Sequence, residues 1–85
     1  MEVYFKPTFV RQFKLFEEEL QEEILEKVEL FKNSKNHKQL KVHKLKGRLS
    51  NHYGFSANYQ IRIVFNYISK EEVVLLAVGS HEVYK

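Results

Sequence analysis

Two histidines, an arginine and a tyrosine give this chain side chains that can move protons beside a phosphate. Histidine suits both directions of proton transfer because its unperturbed pKa is about 6.5. Tyrosine can donate a proton or stack on a base, and arginine binds phosphate through a fork of N–H donors. Such groups suit metal-free cleavage of RNA through its own 2′-hydroxyl, which needs a base, an acid and nearby cations. The candidates are His43, Lys44, Lys46, Arg62, His81 and Tyr84.

Other chemistries lack the residues that they require. The chain has no cysteine, so neither a disulfide framework nor a thiolate zinc site is expected. Its four histidines form no helical i, i+4 pair, and its serines lie outside any Gly-x-Ser-x-Gly elbow. The three glycines are scattered and form no phosphate-binding loop. The sequence therefore disfavours metal-dependent and nucleotide-hydrolysing enzymes, and we expect no metal and no cofactor.

Charge is distributed unevenly along the chain. Residues 17–29 contain seven acids and one base, whereas residues 30–70 contain nine bases and no acid. A cationic surface concentrates polyanions and steers their approach, so this pattern predicts an anionic partner. RNA is the leading candidate. The alternative is that the bases form an ordinary solvent-exposed face, whose positive charge is balanced by the acidic helix elsewhere in the domain. The residues expected to bind RNA are Lys41, Lys44, Lys46, Arg48 and Lys85.

The N-terminal half predicts a strand followed by helices. Residues 3–5 are β-prone and precede Pro7, and Thr8 is the expected helix cap. Apolar residues then recur at steps of three and four from Phe9 to Phe31, which marks one helical face. A single helix of that length would be about 36 Å long, against a diameter of about 30 Å for a domain of this size. We therefore expect two helices, with a break near Glu17 to Glu19.

The C-terminal half predicts strands. Alternating or continuous apolar residues at 53–57, 59–67 and 73–78 indicate a three-strand antiparallel meander, after a basic connector at residues 38–49. The expected fold class is α+β, with residues 1–85 forming one domain. Neither a signal peptide nor an apolar segment of about 18 residues is visible. We therefore expect a soluble cytoplasmic protein.

Four motifs in this chain resemble one protein family. They are LKVHKLKGRL at residues 40–49, YGF at 53–55, YQIRIVF at 59–65 and GSHEVY at 79–84. These motifs resemble the RelE/ParE toxin superfamily, in particular its YafQ and RelE branches, and the likeness covers nearly the whole chain. The resemblance implies a toxin of a toxin–antitoxin pair, neutralised by an antitoxin protein. The ribonuclease branches cleave mRNA on the ribosome without metal, whereas the ParE branch poisons DNA gyrase.

The resemblance implies a site that mixes two branches. His43 and His81 match the first and last catalytic histidines of the YafQ branch, while Arg62 and Tyr84 match residues of the RelE branch. The implied roles are base or phosphate ligand for His43, acid or base for His81, phosphate clamp for Arg62, and stacking platform or proton donor for Tyr84. Four positions depart from the family patterns: Ser56 and Gln60 replace a histidine and an aspartate, and Tyr53 and Phe55 replace two lysines.

Three functions are consistent with these residues. The leading hypothesis is a ribosome-dependent mRNA endonuclease toxin, whose partners are the antitoxin, the ribosome and mRNA. The second is a ParE-type inhibitor that binds gyrase without catalysis, although protein binding alone gives no reason for the two histidines. The third is a degenerate member that binds only its antitoxin or RNA.

Overall fold

Five strands and two α-helices form the fold, in the α+β order that the sequence predicts. The computed structural model describes residues 1–49 and 51–84. The elements are β1 (Glu2–Phe5), α1 (Pro7–Lys14), α2 (Glu18–Phe31), β2 (His43–Lys44), β3 (Tyr53–Ser56), β4 (Arg62–Ser69) and β5 (Glu72–Gly79). Short 3₁₀ turns lie at Ser34–Asn36, Gly47–Leu49 and His81–Tyr84. No helix within the described residues is both long enough and apolar enough to cross a membrane.

The helical segment is divided in two, as its length predicts. α1 ends at Lys14 and α2 begins at Glu18. Glu18 and Glu19 occupy the first turn of α2, where carboxylates interact favourably with the helix dipole. The break therefore lies where acidic residues favour the start of a new helix, although neither glycine nor proline enforces it.

The predicted cap of α1 is wrong. Lys6, not Thr8, precedes the helix, and its side chain makes no capping hydrogen bond. Pro7 occupies the first helical turn, where its fixed φ angle favours the helix and its missing N–H costs nothing. The helix therefore begins one residue before Thr8, whose hydroxyl instead accepts a hydrogen bond from Arg11 Nη2 at 3.2 Å.

The sheet contains more strands than the predicted meander. Its order is β1-β5-β4-β3-β2, with β1 parallel to β5 and the other neighbours antiparallel. The predicted connector at residues 38–49 contains β2, which is too short to produce an alternating pattern. β4 begins at Arg62 rather than Tyr59 because the Asn58 side-chain oxygen accepts hydrogen bonds from the N–H groups of Gln60 and Ile61, which forms a turn there.

The core lies between the helices and one face of the sheet. Phe31 of α2 stacks on Phe55 of β3, with ring centroids 4.4 Å apart, and meets Phe65 of β4 edge-on at 4.8 Å. All three rings are fully buried. Buried residues of α2, β3, β4 and β5 join one apolar cluster with Phe9 of α1. This packing fixes the sheet against the helices and leaves its other face for the site.

Strand register identifies the residues on the face opposite the core, here called the site face. Directly paired residues of neighbouring strands project to the same side of a sheet. His43 pairs with Gly54, Gly54 with Val64, and Val64 with Ala77. The adjacent row runs from Ser56 through Arg62 to Gly79. The site face therefore brings His43 and Arg62 onto one surface, beside the turn His81–Tyr84 that follows β5.

Candidate functional site

Tyr84 lies at the centre of the site face, with its ring directly on Gly54. A Cβ atom at Gly54 would lie 2.7 Å from Cε1, Cζ and the hydroxyl oxygen of Tyr84, so only glycine leaves room for the ring. The Tyr84 hydroxyl donates a long hydrogen bond to the Phe55 carbonyl oxygen at 3.4 Å. Sequence reasoning missed the role of Gly54, although a glycine inside a strand is itself a signal of close approach.

Both candidate histidines contact the ring of Tyr84. Ring centroids are 5.5 Å apart for His43 and Tyr84, and also 5.5 Å apart for His81 and Tyr84. Both histidines meet the tyrosine edge-on, at interplanar angles of 79° and 67°. β2 positions His43 through its pairing with Gly54, and the C-terminal 3₁₀ turn positions His81. His43 of β2 and two residues of the C-terminal turn, His81 and Tyr84, therefore form one group, here called the His–Tyr–His row.

A backbone carbonyl orients the His43 ring. His43 Nδ1 lies 2.8 Å from the Lys41 carbonyl oxygen. A carbonyl can only accept, so Nδ1 carries the hydrogen, and Nε2 of the neutral ring keeps its lone pair. Lys41 adopts φ 60°, the left-handed region that non-glycine residues rarely occupy and that costs energy. This strained turn leaves Nε2 of an exposed imidazole able to accept a proton.

Arg62 begins β4 beside this row. Its Nη1 donates hydrogen bonds to the carbonyl oxygens of Asn58 at 2.7 Å and Ile61 at 3.4 Å. Both bonds use one nitrogen of a guanidinium group that has five N–H donors in total. Arg62 and His81 also line the same open cleft, which has a volume of about 440 Å³. The guanidinium is therefore anchored at one end, next to a candidate acid or base.

Burial raises the pKa of Tyr84 to about 12, although the Arg62 charge partly lowers it. Desolvation disfavours the charged phenolate, while a nearby cation favours it. A phenol with its ordinary pKa of 10 is already protonated at neutral pH, and the upward shift makes its ionisation still less favourable. In this position Tyr84 suits a hydrogen-bond or proton donor rather than a base.

We expect Tyr84→Phe to remove the phenol that titrates at about pH 12. The raised pKa of Tyr84 also links to folding: the contribution to stability is complete below pH 10, the unfolded value, and is lost as pH rises through about 12. Tyr84→Phe should therefore weaken the fall in stability over that range. Phenolate absorbance and thermal unfolding, both followed against pH, test this. If the titration that disappears in Tyr84→Phe is one near pH 10, the assignment is wrong. Tyr67→Phe is the control, because it removes another phenol of raised pKa but should leave the phenol that titrates at about pH 12 in place.

The predicted RNA-binding residues lie at different distances from the row. Lys41 borders a second open cleft of about 350 Å³, which Arg62 also lines. Lys44 follows His43 in β2 and projects to the opposite face, since consecutive strand residues alternate. Lys46 and Arg48 are exposed beyond β2. Lys85 lies outside the described residues. The structure thus groups His43, Arg62, His81 and Tyr84, with Lys41 next to them.

His37 is a structural residue rather than a surface one. Its ring stacks on Phe31 with centroids 4.7 Å apart, and its Nε2 donates to the Phe31 carbonyl oxygen at 2.8 Å. The spacing of residues in the sequence does not predict this packing, which joins His37 to the end of α2, six residues earlier. Among residues 1–49 and 51–84, no group of three or more His, Cys, Asp or Glu side chains could hold a metal ion.

No family model matches the chain, and no curated protein sequence matches it. Among solved structures, a conserved hypothetical protein from Helicobacter pylori superimposes with a TM-score of 0.73 and 22% identity, covering 96% of each chain. YoeB in the YoeB–YefM complex from Staphylococcus aureus gives 0.73 and 19%, covering 95% of this chain and 97% of that one. YafQ from E. coli gives 0.70 and 9%, covering 96% and 94%.

These similarities cover both chains almost completely, at low sequence identity. Further solved structures with the same arrangement include a toxin–antitoxin complex, RelBE2, from Mycobacterium tuberculosis and a YoeB/ParE toxin from Agrobacterium tumefaciens. The small α+β fold with an N-terminal strand, two helices and an antiparallel sheet is common to them. This chain therefore has the RelE/ParE-type toxin fold that its sequence motifs indicate.

Proposed function

We propose that this chain is the toxin of a type II toxin–antitoxin pair and a metal-free endonuclease that cleaves mRNA on the ribosome. The observation that carries the proposal is the His–Tyr–His row beside Arg62. The row offers a proton acceptor, proton donors and a phosphate-binding cation within one small surface. The fold shared with YoeB and YafQ supports the same assignment.

In the proposed reaction, His43 Nε2 removes the proton of the 2′-hydroxyl. The 2′-oxygen then attacks the adjacent phosphorus, and the bond from phosphorus to the 5′-oxygen breaks. Protonated His81 supplies the proton that the leaving 5′-oxygen needs. The products are a 2′,3′-cyclic phosphate and a free 5′-hydroxyl, so every proton and electron pair is accounted for.

Arg62 and Tyr84 serve the phosphate in this mechanism. Negative charge builds up on the non-bridging oxygens as the 2′-oxygen attacks, and the guanidinium stabilises it through paired N–H donors. The Tyr84 phenol is protonated at neutral pH, since even its ordinary pKa is 10 and burial raises that pKa to about 12. Its 3.4 Å hydrogen bond to Phe55 is long, so the hydroxyl can exchange that carbonyl for a phosphate oxygen at little cost.

The charge pattern supports RNA as the substrate and an antitoxin as the partner. Residues 30–70 contain no acid, and their lysines and arginines would hold the phosphates of mRNA near the row. YoeB was solved in complex with YefM, and RelBE2 is itself a toxin–antitoxin complex. We infer that a cognate antitoxin likewise neutralises this chain, in the cytoplasm, where ribosomes and mRNA are available.

Primer extension on an mRNA in a translating extract tests the proposal. Purified wild-type protein should produce new 5′ ends within the translated region, and the double variant His81→Ala, Tyr84→Ala should produce none. The same mRNA without a start codon should stay intact, which separates cleavage on the ribosome from cleavage of free RNA. If wild type cuts no more than the double variant, the enzymatic assignment fails.

The same preparation decides between the two alternatives. Inhibition of DNA supercoiling by gyrase that increases with dose, without mRNA cleavage, would replace the proposal with a ParE-type inhibitor. If the protein binds its antitoxin but shows no cleavage, no supercoiling inhibition and no toxicity, it is a degenerate member. In that case Ser56 and Gln60, which replace a histidine and an aspartate, would explain the loss of catalysis.

A further inference from the structure

A second cleft lies next to the His–Tyr–His row and contains a concentration of positive charge. Its volume is about 350 Å³, at the lower end of the range for ligand sites in proteins. Lys27 from α2, Lys41 from the turn before β2, and Arg62 from β4 all line it. Three cations from three separate elements therefore converge on one cleft, which we call the cationic cleft.

Backbone carbonyls hold two of these cations in place. Lys27 Nζ donates to the Ala57 carbonyl oxygen at 2.9 Å, and Arg62 Nη1 donates to the Asn58 carbonyl oxygen at 2.7 Å. A carbonyl orients a cation without cancelling its charge. Glu23 is an acid close to the cleft, and its carboxylate accepts a hydrogen bond from the Asn58 side-chain amide at 2.7 Å. The described residues that line the cleft include no acid. The cleft therefore remains net positive and suits an anion such as a phosphate group.

Tyr59 places an aromatic ring at the same cleft. The residue follows the Asn58 turn and is 84% exposed, although a large aromatic side chain favours burial. Stacking with a nucleobase would cover such a ring, and this is a common way for proteins to bind single-stranded RNA. The Ser56 hydroxyl lies in the same cleft. Phosphate-binding cations and a stacking ring therefore occur together.

Arg62 connects this cleft with the row. The side chain lines the cationic cleft and also the 440 Å³ cleft that contains His81. We propose that the cationic cleft binds the nucleotide next to the scissile phosphate, with its phosphate on Lys27, Lys41 and Arg62 and its base stacked on Tyr59. The inference rests on the proposed function and deepens it, because it assigns a binding site for a neighbouring nucleotide of the substrate, which shares Arg62 with the reacting groups.

Binding of an RNA tetranucleotide that carries 2′-O-methyl groups tests the proposal without cleavage, because the attacking hydroxyl is blocked. Tyr59→Ala should weaken binding by about tenfold, the range expected for loss of one base–aromatic stack. The matched control Tyr4→Ala removes an exposed tyrosine from β1 and should leave affinity unchanged. Amide NMR spectra of each variant check the fold, and chemical-shift changes on titration should include residues 56–62.

Charge is tested separately through the salt dependence of binding. Lys27→Met keeps the length and apolar stem of the side chain but removes its charge. The slope of log affinity against log salt should fall by about 0.7, the loss of one phosphate contact on single-stranded RNA. Lys14→Met, on the exposed end of α1, should leave the slope unchanged.

These measurements separate the two proposals. Weakened binding in Tyr59→Ala and Lys27→Met, together with no cleavage by wild type, would keep the cationic cleft as an RNA site and reject the nuclease. Cleavage by wild type, with affinity and salt slope unchanged in both variants, would reject the cleft and keep the nuclease.

Discussion

Gly54→Ala should displace Tyr84 and lower mRNA cleavage about 100-fold, while the sheet stays folded. The added Cβ would lie 2.7 Å from three atoms at the far end of the Tyr84 side chain. That side chain belongs to a short 3₁₀ turn after the last strand, so the ring can turn away more easily than the paired strands can separate. Removal of a positioned hydrogen-bond donor to the developing negative charge costs roughly 100-fold or more in rate. Initial cleavage rates in the translating extract measure the effect.

A double-mutant cycle isolates the contact between these two residues. Tyr84→Ala should lower the rate about as much as Gly54→Ala does. In the Tyr84→Ala background, Gly54→Ala should cost nothing further, because both changes act through one contact and their effects are then not additive. If the rate reductions of the two single variants multiply in the double variant, the position of Tyr84 does not matter to cleavage. Wild-type cleavage by Gly54→Ala would show the same.

His43→Asn should lower cleavage by about 100- to 1000-fold with little change in stability. The asparagine side chain keeps an N–H group near the position of Nδ1, which donates to the Lys41 carbonyl in the native protein. It provides no counterpart to Nε2, which is the proposed base. Loss of general-base catalysis costs about 100- to 10,000-fold, and His43 is exposed, so its replacement disturbs little packing. Single-turnover cleavage rates and thermal unfolding measure the two effects.

His37→Gln is the matched control, because it removes an imidazole from a structural position. Glutamine can keep the donor that His37 Nε2 directs at the Phe31 carbonyl, but it loses the stacking on the Phe31 ring. We therefore expect reduced stability and near wild-type cleavage by the folded protein, the reverse of His43→Asn. If His43→Asn cleaves at the wild-type rate, His43 is not the base and the proposed mechanism is wrong.

Local patterns in the sequence determined the outline of the fold. Apolar residues at helical spacing, combined with the size of a small domain, predicted two helices, and the structure confirms the break before Glu18. Alternating or continuous apolar residues predicted the antiparallel meander of β3, β4 and β5. The motifs around His43 and His81 identified the toxin-like fold. These features depend on neighbouring residues, so periodicity and residue type are sufficient to detect them.

Only the tertiary structure decided how the candidate site is assembled. Strand β2 exists because two residues pair with β3, and a strand that short leaves no pattern in the sequence. The left-handed backbone of Lys41 directs a carbonyl at His43. Gly54 leaves the space for the Tyr84 ring, which contacts both His43 and His81. These features depend on strand register, on the backbone conformation of one turn, and on close approach of a side chain to the sheet. Composition, charge and motifs therefore indicated which residues could do the chemistry, whereas the packed sheet decided which of them meet.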